Sequence, residues 1–187
     1  MSEYRQPLRR TDAAARARRD DTLRAVLRVR GVGDVVEVAG RIVQAATEDA
    51  KALTAERDEA ERTGLLRTLG LAEGAPIPPA VRAQLSALDD DQKRRATRSL
   101  RDGLDRVLTD LESMFRDVLM LQFGRDSGLI NSELEPDLRA LAASWSVERT
   151  LTVVDRIAET RANLEQNAAP ALALESMLVT VASGRLP

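Results

Sequence analysis

Apolar residues recur at helical spacing along most of the chain, and no segment shows the alternating pattern of a β-strand. We predict a first helix from Thr11, a good N-cap residue, to about Val29. A second helix is predicted to follow Asp34 as its cap and to end at Leu69. The inner faces of these two helices are predicted to carry Leu23, Val26, Leu27, Arg30, Val35, Val38, Ala39, Ile42, Ala45 and Ala46.

The rest of the chain predicts one very long helix and three shorter ones. A loop rich in Gly and Pro covers residues 70–79, and a helical pattern then runs to Phe123. The polar patch at residues 89–98 leaves an interruption of that helix open as an alternative. After a loop at residues 124–131, helices are predicted over residues 133–144, 147–166 and 170–183. The pattern predicts an all-α helical bundle with a protruding long helical pair around residues 46–62 and 89–104.

The composition removes most routes to catalysis. The chain has no His and no Cys, which excludes the commonest general base, the commonest metal ligand and every thiolate site. It has no Walker A sequence, and GVGDVV at residues 31–36 follows a helix and lacks the third glycine of a dinucleotide-binding fingerprint. The pairs Glu59/Glu61 and Glu133/Glu135 lie in charge-rich helical surface. We predict no catalytic residue, cofactor or metal, and we do not expect an enzyme.

The main rival to a purely protein-binding function is a contact with nucleic acid. Residues 29–42 resemble a helix-hairpin-helix turn, whose amides bind a phosphate, but Asp34 places a negative charge there. Two basic clusters are interleaved with acids: Arg16, Arg18, Arg19 and Arg24 in one, and Lys93, Arg94, Arg95, Arg98 and Arg101 in the other. The residues chosen as possible nucleic-acid contacts are Arg28, Arg30, Arg94, Arg95 and Arg98.

The charge distribution is uneven although the net charge is only -2. Residues 1–30 hold nine Arg against four acids, whereas residues 107–187 hold seven Arg against twelve acids. No apolar run approaches the roughly 18 residues of a membrane helix, and no signal-peptide pattern is visible. We therefore expect a soluble, cytoplasmic protein without a membrane partner.

The order of segments in the C-terminal half resembles a known family. The sequence FRDVLMLQFG (115–124) is followed by LIN (129–131), then LRALAASWSVERTL (138–151), then RANLEQNAAPALALESMLVTVASG (161–184). This order is similar to the collar domain of bacterial DNA polymerase III clamp-loader subunits. Residues 10–39 and 92–119 look like the delta prime subunit of high-GC Gram-positive bacteria. One departure concerns a turn with two Asn in the family, where Asn167 matches the first and Ala169 replaces the second.

The resemblance implies a scaffold in DNA replication. In clamp loaders, collar domains of five subunits pack into a ring, while upstream AAA+ modules use ATP. Residues 1–30 would then be a basic helix at the end of a missing lid domain, and residues 31–187 the collar-like domain. The chain is accordingly expected to be a C-terminal fragment, and no nucleotide-handling function is carried over.

The expected partners are the other clamp-loader subunits, with DNA contact open but not primary. The residues assigned to the subunit interface are Phe115, Arg116, Leu119, Asn167, Pro170, Leu174, Met177 and Leu178. The apolar final helix has two explanations at this stage, burial of one flank against a neighbour or enclosure in the chain's own core. A nucleic-acid-binding helical module and an unrelated homo-oligomeric bundle remain the alternatives.

Overall fold

The fold comes from a computed structural model that describes residues 6–70 and 78–183. Over those residues the regular elements are all helical, which confirms the predicted all-α class. The α-helices are α1 (Gln6–Arg28), α2 (Val32–Thr68), α3 (Pro79–Gln122), α4 (Glu135–Ser144), α5 (Val147–Glu165) and α6 (Pro170–Ala182), with a 3₁₀ turn (Ser132–Leu134) before α4. Within this part of the chain, none of the helices is apolar over a length that would cross a bilayer.

The predicted start of the first helix is wrong. Helix α1 begins at Gln6 rather than at Thr11, and Pro7 falls in its first turn. A proline is tolerated there because the first amides of a helix have no intrahelical acceptor to bond. The inner faces of α1 and α2 are buried as predicted except at Arg30 and Ala45, which are exposed.

The alternative of an interruption at residues 89–98 is also wrong, because α3 is continuous over 44 residues. Ion pairs one turn apart support the polar stretch on the helix surface. Lys93 Nζ lies 3.6 Å from Asp90 Oδ1, and Arg94 pairs with Asp91. Of the predicted loop at residues 70–79, residues 71–77 lie outside the described part of the chain.

Contacts divide the chain into two compact units, residues 1–43 with 105–187, and residues 44–104. We call them the main unit and the hairpin unit. The boundary expected after residue 30 concerns a domain of a larger protein, and it stays a prediction.

The core of the main unit is built from apolar faces of all six helices. Its largest fully buried side chains are Leu23, Leu108, Leu111, Met114, Phe115, Leu134, Leu138, Ile157, Leu174, Met177 and Leu178. Helices α5 and α6 pack against each other over much of their length. This set supplies most of the hydrophobic free energy that holds the unit together.

The hairpin unit is the antiparallel pairing of the second part of α2 with the first part of α3. Small residues line its seam, with Ala46, Ala50 and Thr54 buried on α2, and Leu85 buried on α3. Midway along the seam an ionic layer joins the helices. Arg95 lies 2.5 Å from Asp58 Oδ1 and 3.0 Å from Glu61 Oε1. Such a polar layer fixes the register of two helices, because a shift would leave half-buried charges without partners.

Helix α3 ends in a left-handed turn at Gly124, whose φ is +71°. Gly124 N donates to Leu121 O at 3.0 Å, and Arg125 N donates to Met120 O at 2.9 Å. This is the Schellman pattern, which bonds the last carbonyls of a helix and favours glycine at the left-handed position. It turns the chain sharply out of α3 into the loop at residues 124–131.

We predict opposite effects of two Gly→Ala substitutions in the main unit. Gly124→Ala should lower the free energy of unfolding by about 1 kcal/mol, because alanine is strained at positive φ. Gly40→Ala should raise it by about 0.5–1 kcal/mol, because Gly40 lies inside α2 and an added Cβ there meets only open space. Urea denaturation followed by far-UV circular dichroism measures both, and equal effects of the two changes would contradict the left-handed assignment.

Candidate functional site

Two segments that the sequence analysis singled out, FRD at residues 115–117 and LIN at residues 129–131, meet inside the main unit. The side chains of Asp117 and Asn131 are fully buried. Asn131 donates twice to Asp117 Oδ2, from its backbone N at 2.7 Å and from Nδ2 at 2.8 Å. The buried carboxylate thereby holds the loop at residues 124–131 against α3.

Arg19 of α1 completes this network from the opposite side. Its Nη2 donates to Asn131 Oδ1, and its Nε lies 2.8 Å from Asp110 Oδ1 on α3. A further pair joins Nη1 to Glu133 Oε1 at 3.3 Å. Burial alone disfavours the charge on Arg19, but the hydrogen bond and charge of Asp110, with the charge of Glu133, outweigh it and raise the pKa of Arg19. One guanidinium thus ties α1 to α3 and to the LIN segment.

A stack of three side chains connects α3, α5 and α6. The rings of Phe115 and Trp145 are stacked at 6.0 Å between centroids with planes 9° apart. The Arg149 guanidinium carbon lies 4.4 Å from the centroid of the Trp145 ring, and Arg149 Nη2 donates to Thr180 O at 3.0 Å. Burial lowers the pKa of Arg149. Arg149 thus caps the last turn of α6, whose carbonyls have no helical donor.

Arg161 on α5 is held by a stripe of acceptors on α3. Its Nε lies 2.6 Å from Asp105 Oδ1, and its Nη1 lies 2.7 Å from Glu112 Oε1. Arg161 Nη2 also donates to Thr109 Oγ1 at 3.1 Å. The hydrogen bond to Glu112, followed by that to Asp105, raises the pKa of Arg161 against the effect of burial. The three acceptors are spaced one turn apart, so a single guanidinium fixes the register of α5 on α3.

The Asn turn between α5 and α6 is a backbone device. Asn167 has a φ of +67°, and Ala168 N donates to Asn163 O at 2.9 Å, as in a Schellman motif. Asn is the residue that tolerates this left-handed conformation best after Gly. Ala169, which replaces the second Asn of the family, is the N-cap of α6 and makes no side-chain cap bond there. An Asn at that position is a good cap, so the departure removes a favourable contact.

The predicted interface residues fall into two groups. Phe115, Leu174, Met177 and Leu178 are buried in the core of the main unit, so their side chains pack within this chain rather than against a neighbour. The structure therefore favours core enclosure for most of α6. Arg116, Leu119, Asn167 and Pro170 are at least partly exposed, and for them the interface stays a prediction. Arg116 also donates to Asp117 Oδ1 at 2.8 Å and to Gly128 O at 3.2 Å.

One apolar side of α6 is not covered by the chain. Leu172 and Val179 are 67% and 47% exposed, and Leu151 on α5 is 46% exposed. Leu172 and Val179 are two helical turns apart, so they lie on one side of α6. The sequence analysis listed Leu172 among the apolar residues of this helix without separating it from the buried ones.

The turn at residues 29–33 is closed by its own acid. Asp34 lies in the first turn of α2, not at its N-cap, and its Oδ2 accepts from Arg30 N at 2.8 Å and from Gly31 N at 3.3 Å. Two amides that a phosphate would use in a helix-hairpin-helix motif are thus bonded to a carboxylate. This arrangement argues against DNA-backbone binding at the turn.

The basic residues predicted to touch nucleic acid are also unequal. Arg95 is enclosed by the acids of the hairpin seam, and Arg94 is paired with Asp91. Arg28, Arg30 and Arg98 are exposed. Nucleic-acid contact through these three residues stays a prediction.

With this geometry described, comparison with known proteins gives one finding. The family described as DNA polymerase III, delta subunit, C terminal, matches residues 85–182, which is more than half of the chain. The chain belongs to this family of clamp-loader domains. Searches of curated proteins and of solved structures returned no match.

The matched segment contains most of the interactions described above. It begins at Leu85 in α3 and ends at Ala182 in α6, so it includes Asp117, Asn131 and the Trp145 stack. Helices α1 and α2 precede it, although Arg19 on α1 completes the buried network. The family's segment and the preceding helices are therefore joined in one compact unit.

We predict that Asp117 is the most sensitive polar residue of the main unit. Asp117→Ala should lower the free energy of unfolding by about 3 kcal/mol, because it leaves the buried amide groups of Asn131 without an acceptor. Asp117→Asn, which keeps one acceptor oxygen, should have a smaller effect. Urea denaturation followed by the fluorescence of Trp145, the single Trp of the chain, gives the measurement.

Asp126→Ala is the matched control. Asp126 forms an exposed ion pair with Arg139 at 2.9 Å, and its loss should change the free energy of unfolding by less than about 0.5 kcal/mol. If Asp117→Ala behaved like this control, the buried network would not organise the unit.

Proposed function

We propose that the chain is the C-terminal, collar-like domain of a clamp-loader delta prime subunit. It packs against neighbouring loader subunits in the cytoplasm and carries no catalytic activity or cofactor of its own. The observation that carries this proposal is the family match over residues 85–182, within which α6 keeps an exposed apolar side. Contact with DNA is secondary in this proposal.

The physical support is the two-sided character of α6. Its inner side is buried in the main unit, while Leu172 and Val179 are exposed to solvent on the outer side. Burying such apolar area in a subunit contact contributes roughly 25 cal/mol per Å² before the costs of association. Arg149 and the stack on Trp145 hold the helix rigidly, so its outer side is presented without further ordering.

The finer assignment to delta prime rests on the resemblance of residues 10–39 and 92–119. Under this proposal residues 1–30 continue from a lid domain, and residues 31–187 form the collar-like domain. Arg116, Leu119, Asn167 and Pro170 then belong to the rim of the subunit contact, beside the exposed side of α6.

The test is assembly in vitro. The chain should co-elute in size-exclusion chromatography with the other loader subunits when delta prime is left out of the mixture. Added full-length delta prime should displace it, whereas added delta should not. Failure to co-elute would overturn the scaffold function, and displacement by delta alone would overturn the assignment to delta prime.

We predict that charge on the outer side of α6 prevents this assembly. Leu172→Glu and Val179→Glu should each weaken association by about tenfold or more, because an unpaired carboxylate would be buried in the contact. Leu53→Glu is the control, since Leu53 is 69% exposed on α2 in the hairpin unit. Circular dichroism should show unchanged helix content in all three variants, and equal co-elution of all three would contradict the proposed contact.

A further inference from the structure

A groove of about 510 Å³ lies in the main unit between α1 and α4. On one side it is lined by Arg24, Leu27 and Arg28 of α1, with Arg30 just beyond the helix end. On the other side it is lined by one face of α4 and by Trp145. No residue of the outer side of α6 lines it, so the groove is separate from the proposed subunit contact.

The rim of the groove has an excess of positive charge. Its lining contains three Arg but one acid, Asp137. Asp137 Oδ2 lies 3.6 Å from Arg24 Nη1, so this pair is largely self-neutralised. The side chains of Arg28 and Arg30 are exposed and form no ion pair with any residue that the structure describes. Because the whole chain has a net charge of -2, this local excess of two cations is distinctive.

The floor of the groove is apolar. Leu27, Leu141 and Trp145 are all buried to more than nine-tenths, and their remaining exposed edges face the groove. A cationic rim above an apolar floor is complementary to a peptide that carries carboxylates beside an apolar side chain. A nucleic-acid backbone fits less well, because Asp137 lies in the groove and Asp34 bonds the neighbouring turn amides.

We propose that this groove binds an acidic peptide segment of a partner protein. An apolar side chain of the peptide contacts the floor at Leu141 and Trp145, and its carboxylates pair with Arg28 and Arg30. This binding does not depend on the proposed assembly through α6, and the two are tested by different variants.

The single Trp of the chain lies in the groove, so its fluorescence reports on this site. The probe is the capped hexapeptide acetyl-Asp-Asp-Leu-Leu-Asp-Asp-amide, titrated into the full chain at low salt. We expect a saturable change in Trp145 emission that weakens as salt rises. The same peptide with Asn in place of every Asp should bind about tenfold more weakly or worse.

Three substitutions distinguish the groove from general charge attraction. Arg28→Glu and Arg30→Glu should each weaken peptide binding by about tenfold. Asp137→Asn should strengthen it by about threefold, because it releases Arg24 for the ligand. Arg106→Glu, at an exposed α3 position outside the groove, makes the same charge change as the first two and should leave binding unaltered.

The proposal is overturned if the acidic peptide causes no saturable change at millimolar concentration, or if the Asp and Asn peptides bind equally. It is also overturned if a fifteen-nucleotide oligothymidylate binds with the same Arg28 and Arg30 dependence while the peptide does not. Loader assembly with the Arg28→Glu and Arg30→Glu variants should stay normal, which separates failure here from failure of the scaffold function.

Discussion

The main unit depends on the buried carboxylate of Asp117. A fully buried acid is unfavourable unless its oxygens are bonded, and Asn131 supplies both a backbone and a side-chain donor. Asn131 in turn is held by Arg19 from α1. Three segments far apart in the sequence therefore share one polar centre, and the apolar core can close around it only in one arrangement.

The other arginines extend this ordering to the end of the chain. Arg161 sets α5 on α3, and Arg149 joins the Trp145 stack to the last turn of α6. Helix α6 is thereby fixed along one side and uncovered at Leu172 and Val179 on the other. A rigid helix with an uncovered apolar side is what a subunit contact needs, because little conformational entropy is lost when a partner binds.

Helical periodicity was sufficient to predict the fold class and most helix ends, because each end has a local signal such as Gly124 or Pro170. The order of FRD and LIN pointed to the family, but their hydrogen bond depends on tertiary contact. The roles of Arg19, Arg149 and Arg161 could not be predicted, since their partners lie between 31 and 112 residues away. Periodicity also could not separate the buried Leu174 from the exposed Leu172, because both lie on an almost wholly apolar helix.

The most direct test of the central claim uses the absence of Cys from the chain. A single cysteine introduced by Leu172→Cys can be labelled with a maleimide, alone and with the other clamp-loader subunits. Contact through α6 predicts that labelling slows by about tenfold or more in the mixture, while labelling of a Leu53→Cys control stays unchanged. Equal labelling of the cysteine at position 172 with and without the other subunits would contradict this account.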